Sequence, residues 1–280
     1  MQIIDGKKIR DDVLDGLQRR IQKLPNPPVF CDVLVGNDPA SVQYVDMKLK
    51  AAASVGIQTH KAEFPEDIST EALVVEIKKI AEIPHIAGII VQLPLPKHID
   101  VKTVLNAIPA QYDVDALGDS VALDFYTSVP TFIPPTAAAV LTMIASMGID
   151  MTDRNVVIAG RGVLVGKPVA HLLAVRGISV QNVDSETPEP WRFFRTADVL
   201  ISAVGKPGLI TGDMLKKGVV IIDAGTSEFN GAIAGDVDRK SVEKMAFALA
   251  PVPGGVGPVT VAMLMQNVVI SAERLAGVKE

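Results

Sequence analysis

Residues 155–168, NVVIAGRGVLVGKP, constrain this chain more than any other stretch. Asn155–Ala159 is a short apolar run rich in β-branched residues, the pattern of a buried parallel strand. Glycines follow at Gly160, Gly162 and Gly166, and Pro168 then opens the apolar helical run Val169–Leu173. Proline is tolerated at a helix start because the N–H it lacks would be unpaired there. A strand, a glycine turn and a helix N-terminus in succession form a site for a dinucleotide pyrophosphate. Glycine lets the backbone come close, while free amides and the helix dipole attract the anion. The Gly-x-Gly-x-x-x-Gly spacing is one residue longer than the usual fingerprint, so spacing alone also fits a plain glycine turn in a βα unit. The strand before it and the helix after it favour binding.

Around this stretch, 280 residues allow one large domain or two ordinary ones. A chain of that length buries roughly 75% of its unfolded surface and requires no staples. Cys31, the single cysteine, excludes a disulfide framework or a cysteine-rich metal site, and His60, His85, His98 and His171 form no metal pair. A formal net charge of −5 with no basic block argues against nucleic acid as a partner. The N-terminus, MQIIDGKKIRDD, lacks an apolar targeting core, and no run approaches about 18 apolar residues. A cytoplasmic protein with no membrane partner is the expectation.

In chain order, apolar residues at Ile9, Val13, Leu17, Ile21 and Leu24 predict a helix, stopped by Pro25–Pro28. Val29–Val35 follows as a strand, Ala40–Val55 as a helix closed by Gly56, Thr59–Phe64 as a strand, Ser69–Ile80 as a helix and Ile86–Leu93 as a strand. Such alternation indicates parallel sheet with helices on both faces. Regularity fades between Asp113 and Pro135, the boundary region. Thr136–Met147 reads as a linking helix, and a second alternation places strands at Asn155–Ala159, Ile178–Val183, Val199–Val204 and Val219–Ile222 with some short crossovers. Pro258–Leu275 is a last helix. The expected fold is α/β with two lobes and a cleft between them. One domain spans 1–138, rejoined by the C-terminal helix at about 260–280, and a Rossmann-like domain spans 139–259.

Three features of the first half can carry chemistry. Tyr44 and Lys48 lie four residues apart and share a helix face, where a desolvated lysine can serve as acid or base and a phenol can hold it. The same pair also fits an ordinary solvated face. Gln92 ends an apolar strand, where polar groups point into the ligand crevice of parallel sheets, although a turn-capping glutamine reads the same way. Asp113-Val114-Asp115 by itself is turn chemistry.

Taken together, these stretches resemble the bifunctional methylenetetrahydrofolate dehydrogenase/methenyltetrahydrofolate cyclohydrolase family, nearly end to end. The resemblance runs through Asp5-Gly6-Lys7, then Val35-Gly36-Asn37-Asp38-Pro39-Ala40-Ser41 leading to Tyr44 and Lys48. It continues through Gly88–Pro96 with its Gln-Leu-Pro-Leu-Pro segment, Asp113–Asp115, Gly160-Arg161, Val165–Pro168, Gly235-Asp236-Val237 and Val252–Pro258 with Thr260. It implies hydride transfer from the methylene carbon of the folate to NADP, with NAD the other possibility, then hydrolysis of the methenyl carbon to 10-formyltetrahydrofolate. Lys48 would be the acid/base, with Tyr44 and Gln92 holding and tuning it. Asp115 would bind the pterin, and Leu93, Pro253, Gly254 and Gly255 would line the folate. Gly160, Arg161, Gly162, Val165, Gly166, Ser185 and Ser227 would hold the cofactor. No metal is implied, and a homodimer is.

The chain departs from the family pattern at Tyr112, Ala116, Gly118, Val121, Leu123 and Ala137, and at Gly162 and Ser227. Two other readings stay open on the residues: a Rossmann dehydrogenase of another small substrate, and a nonenzymatic relative. The choice of cofactor also carries a conflict. Asp184 ends a strand 24 residues after Gly160, near the ~20-residue offset at which an acid takes a ribose 2′-hydroxyl and disfavours a 2′-phosphate. Against it, the resemblance places Arg161 and Ser185 near that phosphate, and a guanidinium matches a dianion.

Overall fold

The computed structural model describes residues 1–229 and 232–278. Two compact units divide the chain: Asp12–Pro135 with the residues from Val261 on, and Met1–Asp11 with Thr136–Thr260. The elements in chain order are β1 (Gln2–Ile3), α1 (Gly6–Ile21), β2 (Val29–Val35), α2 (Pro39–Val55), β3 (Gln58–Phe64), α3 (Thr70–Ile80), β4 (Ile86–Val91), α4 (Val101–Asn106) and α5 (Asp119–Thr127). There follow α6 (Pro135–Ser146), β5 (Val156–Ala159), α7 (Gly166–Val175), β6 (Val180–Val183), α8 (Trp191–Phe194), β7 (Val199–Ser202) and β8 (Val219–Asp223). The hairpin β9 (Ser227–Phe229) and β10 (Ala232–Ala234), α9 (Arg239–Val242), β11 (Ala246–Ala250) and α10 (Val256–Leu275) complete the chain.

In the first unit the sheet is parallel, in the order β3-β2-β4. Its central strand is buried on both faces, which is why it is apolar at every position but Asp32. Val29, Cys31 and Val33 enter the cluster around α3 and α4, while Phe30 enters the cluster around α1, α2 and α10. The chain runs from β2 to β3 and back to β4, so the strand order reverses between β2 and β4, where ligands of open α/β sheets bind. Helix α2 leaves that point under firm local control. The Asp38 carboxylate accepts the Ser41 amide at 2.8 Å, Pro39 occupies the first turn, and Gly56 closes the helix at φ +94°.

In the second unit the strands lie in the order β1-β11-β8-β7-β5-β6, all parallel. Reversal occurs at β5, flanked by β6 and β7, so the glycine turn that follows β5 stands at the switch point. The crossovers are short, as the strand spacing predicts: a four-residue α8 and a 3₁₀ turn at Gly212–Met214. The opening residues differ from the expectation that they join the first half. Gln2 and Ile3 pair with Ala248 and Leu249, and the Ile4 amide donates to the Leu249 carbonyl at 2.9 Å, which places Met1–Asp11 in the second unit.

Helix α10 has the length and apolar character of a membrane span, with mean hydropathy 1.3. It is a core helix nonetheless, because Ala262, Met265, Val268 and Val269 are buried in the cluster shared with β2 and α2. Two polar residues fix its rotation. Asn267 Nδ2 donates to the carbonyls of Val114 (2.8 Å) and Ile133 (2.9 Å), and Ser271 Oγ donates to the Gln111 carbonyl (2.8 Å).

Candidate active site and dinucleotide site

The buried face of α2 carries Ser41, Val45, Lys48 and Ala52, so Lys48 is directed into the protein rather than onto a solvated face. Its Nζ donates to Gln92 Oε1 at 2.8 Å. Gln92 in turn donates from Nε2 to the Leu93 carbonyl at 2.5 Å, and its own amide is bound to the Val33 carbonyl. The glutamine is thus held from both sides with its oxygen facing the ammonium, which is more than capping a turn. Tyr44, one turn earlier on α2, is half-buried, and burial raises its phenol above the ordinary tyrosine range. It is a neutral hydrogen-bonding group at physiological pH.

A residue absent from the sequence reading completes the cluster. Asp32, in the middle of β2, has no exposure at all, and its Oδ2 lies 2.9 Å from Lys48 Nζ. The contact is one of charge, because neither carboxylate oxygen has an aligned hydrogen-bond partner. Burial raises the Asp32 carboxyl, opposed chiefly by Lys48. The signal was in the sequence: a lone acid inside a seven-residue apolar strand is tolerated only if paired.

Asp115 stands in the loop after the 3₁₀ turn Ala110–Tyr112. Desolvation pushes its carboxyl up to about 6, with Lys48 pulling it down and Asp113 and Asp32 adding to the rise. Lys48, Gln92, Asp32 and Asp115 therefore share one electrostatic environment. Asp113 shapes the loop: its carboxylate accepts the Gly118 amide at 2.7 Å and the Leu117 amide at 3.4 Å. Between them Ala116 adopts φ +56°, a left-handed conformation costing a side chain roughly 1–2 kcal/mol. The departures further on have a structural form: Gly118 precedes α5, Val121 is buried in the core, and Leu123 is 64% exposed.

In the second unit, the turn after β5 passes the fit for a pyrophosphate. Gly160 adopts φ +107°, and a Cβ there would lie 2.3 Å from the Ala203 carbonyl oxygen; a Cβ on Gly166 would lie 2.1 Å from the Gly160 carbonyl oxygen. Gly162 has open space around its Cβ position. Val165 is the N-cap and α7 starts at Gly166, two residues before Pro168, so its first-turn amides stand beside the turn.

Arg161 donates from Nη2 to the Asn182 carbonyl (2.9 Å) and pairs through Nη1 with Asp184 Oδ2 (3.1 Å). Asp184 uses Oδ1 to accept the amides of Glu186 and Thr187 and the Thr187 hydroxyl, an arrangement that holds its carboxyl below the usual range. The acid that the offset rule marks for a ribose is committed to its own turn. Ser185 beside it is exposed, and Ser227 Oγ donates to the Gly205 carbonyl at 2.8 Å.

Pro253, Gly254 and Gly255 belong to this second unit, after β11. Gly254 accepts the Gly6 amide at 3.0 Å, and a Cβ on Gly6 would fall 1.9 Å from the Gly255 carbonyl oxygen. Two separate sequence motifs, Asp5-Gly6-Lys7 and the Pro-Gly-Gly loop, are one backbone contact.

A glycine cradle at the switch point of one parallel sheet, and a buried lysine among acceptors at the switch point of another, are the features of a nucleotide-dependent α/β enzyme. The sequence model "Tetrahydrofolate dehydrogenase/cyclohydrolase, catalytic domain" matches residues 4–115, and "Tetrahydrofolate dehydrogenase/cyclohydrolase, NAD(P)-binding domain" matches residues 134–276. The chain belongs to the tetrahydrofolate dehydrogenase/cyclohydrolase family and is a bifunctional enzyme. It is 40% identical over 280 residues to the bifunctional protein FolD of Nautilia profundicola, covering 99% of each chain. It is 41% identical over 279 residues to that of Bordetella bronchiseptica, covering 98% of this chain and 99% of the relative. Among solved structures, the Trypanosoma brucei N5,N10-methylenetetrahydrofolate dehydrogenase-cyclohydrolase, complexed with NADP cofactor and inhibitor, superposes with a TM-score of 0.92 at 34% identity, covering 98% of this chain and 97% of that one.

Proposed function

We propose that the buried Lys48 cluster performs the one-carbon chemistry of this bifunctional enzyme: oxidation of 5,10-methylenetetrahydrofolate to the methenyl form, then hydrolysis to 10-formyltetrahydrofolate. The observation that carries the assignment is the Lys48 ammonium held 2.8 Å from Gln92 Oε1 and 2.9 Å from Asp32 Oδ2 with 8% exposure. An ammonium so placed can donate a proton to a leaving ring nitrogen, and the free amine can take one from an attacking water. Gln92 orients it, and the neutral Tyr44 phenol hydrogen-bonds beside it. Asp115, ionised at neutral pH, accepts from the N–H donors of the pterin, with Leu93 contributing a further folate contact.

The cofactor is NADP, held at its pyrophosphate by the backbone of Gly160–Gly166 and the start of α7, and at its 2′-phosphate by Arg161 with Ser185; Ser227 lies toward the nicotinamide end. When bound it accepts the hydride from the methylene carbon. Family membership also supports a cytoplasmic homodimer, which sedimentation equilibrium tests.

The decisive experiment follows reduced cofactor and methenyl product together in wild type and Lys48→Met. Wild type supplied with methylenetetrahydrofolate and NADP forms both activities' products. The Met variant loses methenyl hydrolysis by about 10²–10⁴-fold, with folate binding less affected. Undiminished hydrolysis by that variant refutes the assignment.

A further inference from the structure

Asp32 lies at the centre of β2, in register with Lys61 on β3 and Ile90 on β4, and is fully enclosed. A carboxylate removed from water is strongly disfavoured unless a cation stays beside it. Charged and titratable groups reach this point from each surrounding element. Strand β3 supplies Lys61, whose Nζ is already engaged by Glu63 at 2.8 Å and Asp46 at 3.6 Å. Helix α2 supplies Lys48 and Tyr44, the loop after the 3₁₀ turn supplies Asp113 and Asp115, and β2 itself adds Cys31, whose thiol burial pushes up to about 12. Lys48 is the cation in contact, at 2.9 Å.

We propose that Asp32 is a positioning residue for the reaction: its buried carboxylate anchors the Lys48 ammonium facing Gln92 and governs how readily that group releases its proton. The inference rests on the reading of Lys48 as the acid–base group. A lysine side chain has four rotatable carbon–carbon bonds and would otherwise sample many positions. Here it cannot swing away without leaving Asp32 buried and unpaired, so the orientation is enforced rather than sampled. Gln92 alone would orient the amine in either protonation state. Asp32 favours the ammonium specifically. It acts through Lys48 and contacts no substrate.

The test compares wild type with Asp32→Asn and Asp32→Val, which remove the charge with and without the amide. Each is checked for folding by thermal melting. Two readings are taken: the pH–rate profile of methenyltetrahydrofolate hydrolysis, and the titration of the Lys48 Cε carbon by NMR, assigned by its loss in Lys48→Met. In both variants the limb governed by Lys48 and the NMR midpoint should move together to lower pH by about 1–3 units, since an opposite charge in contact shifts a group by that much. The hydrolytic kcat should fall by roughly tenfold or more while KM changes far less.

Folded variants with an unmoved limb and an unmoved midpoint overturn the proposal and leave Asp32 a structural residue. Should both fail to fold, Asp32→Glu retains the charge while displacing it: kcat falls with the limb in place, and a limb that moves as far in this variant also overturns the proposal. The NMR midpoint does not depend on catalysis, so full hydrolysis by Lys48→Met would sink the catalytic reading of Lys48 while the midpoint still decided the pair.

Discussion

Asp115 and Arg161 each turn a single side chain into a measurable preference. Because desolvation lifts the Asp115 carboxyl to about 6, it is ionised at neutral pH and takes up a proton as the pH falls through that value. Folate affinity should therefore be constant above about pH 7 and decline below 6. Asp115→Ala should weaken folate at neutral pH by on the order of 1.5–3 kcal/mol, the value of a charge-assisted acceptor, flatten the pH dependence and leave NADP binding intact. Calorimetry at pH 7.5 and 5.5 checks both. At Arg161 the proposed 2′-phosphate contact has to coexist with an acid at the ribose offset. Asp184 is bound by the guanidinium at 3.1 Å and by amides of its own turn. In Arg161→Ala that neutralising charge is gone, so kcat/KM with NADP should fall at least about tenfold further than with NAD. An enzyme whose preference ignores Arg161 would return control to Asp184. The candidate site was partly legible in the sequence: Lys48, Tyr44, Gln92 and Asp115 stood out through spacing, strand-end position and family resemblance. Asp32 was hidden because six apolar neighbours make β2 read as one uniform buried run, and only the position of α2 reveals its partner.

Glycines divide sharply at the level of elements. Gly160 and Gly166 pack backbone against backbone, whereas Gly162 faces open space, although all three belong to one motif. Gly162→Ser should leave the melting temperature within the range of an ordinary surface change, about ±0.5 kcal/mol. Gly166→Ala must displace the Gly160 carbonyl, 2.1 Å from the new Cβ, and should abolish NADP binding and lower stability. Equal NADP affinity in Gly166→Ala, read by fluorescence titration, would refute the cradle. The same local rules made β2 to β4, α2, α3 and the β5–α7 turn readable from periodicity and caps to within a few residues. They failed where elements are short or composed against type. Strand β1 has two residues and forms only because β11 offers an edge; β11, Ala246–Ala250, contains three alanines, weak strand formers. Helix α5 lies within the stretch 113–135 whose regularity fades in the sequence, and its start is fixed by contacts from afar: Asn106 Oδ1 accepts the Asp119 amide at 2.8 Å.

At the scale of the whole molecule, each unit carries an acid raised by desolvation whose ionisation works against folding. Asp115 belongs to the first unit, and Asp223, 1% exposed at the end of β8, to the second. Desolvation raises the Asp223 carboxyl to about 6, the neighbouring Asp236 adding to the rise and the amides of Val237, Asp236 and Gly225 opposing it. A carboxyl with a folded value above its ordinary 3.8 binds its proton more tightly in the folded state. Its contribution is therefore full at low pH and lost as the pH rises through about 6, withdrawing at most about 3 kcal/mol by neutrality. The acids Asp38, Asp100, Asp119, Asp150 and Asp184 have the opposite sign, since hydrogen bonds lower them; their stabilisation is present above 3.8 and lost only in stronger acid. Between pH 7.5 and 5.5 these two raised acids should dominate, so both units should melt higher at pH 5.5. The chain supplies its own probes for reading them apart: Trp191 is the only tryptophan and lies in the second unit, while Tyr44, Tyr112 and Tyr126 all lie in the first. Asp223→Asn retains the oxygen that accepts from Gly225 and Asp236 but cannot ionise. It should flatten the pH dependence of the tryptophan-detected transition and leave that of the tyrosine-detected transition unchanged, whatever it does to the absolute melting temperature. A tryptophan transition in Asp223→Asn that still rises as steeply between pH 7.5 and 5.5 would show that another group governs the stability of that unit.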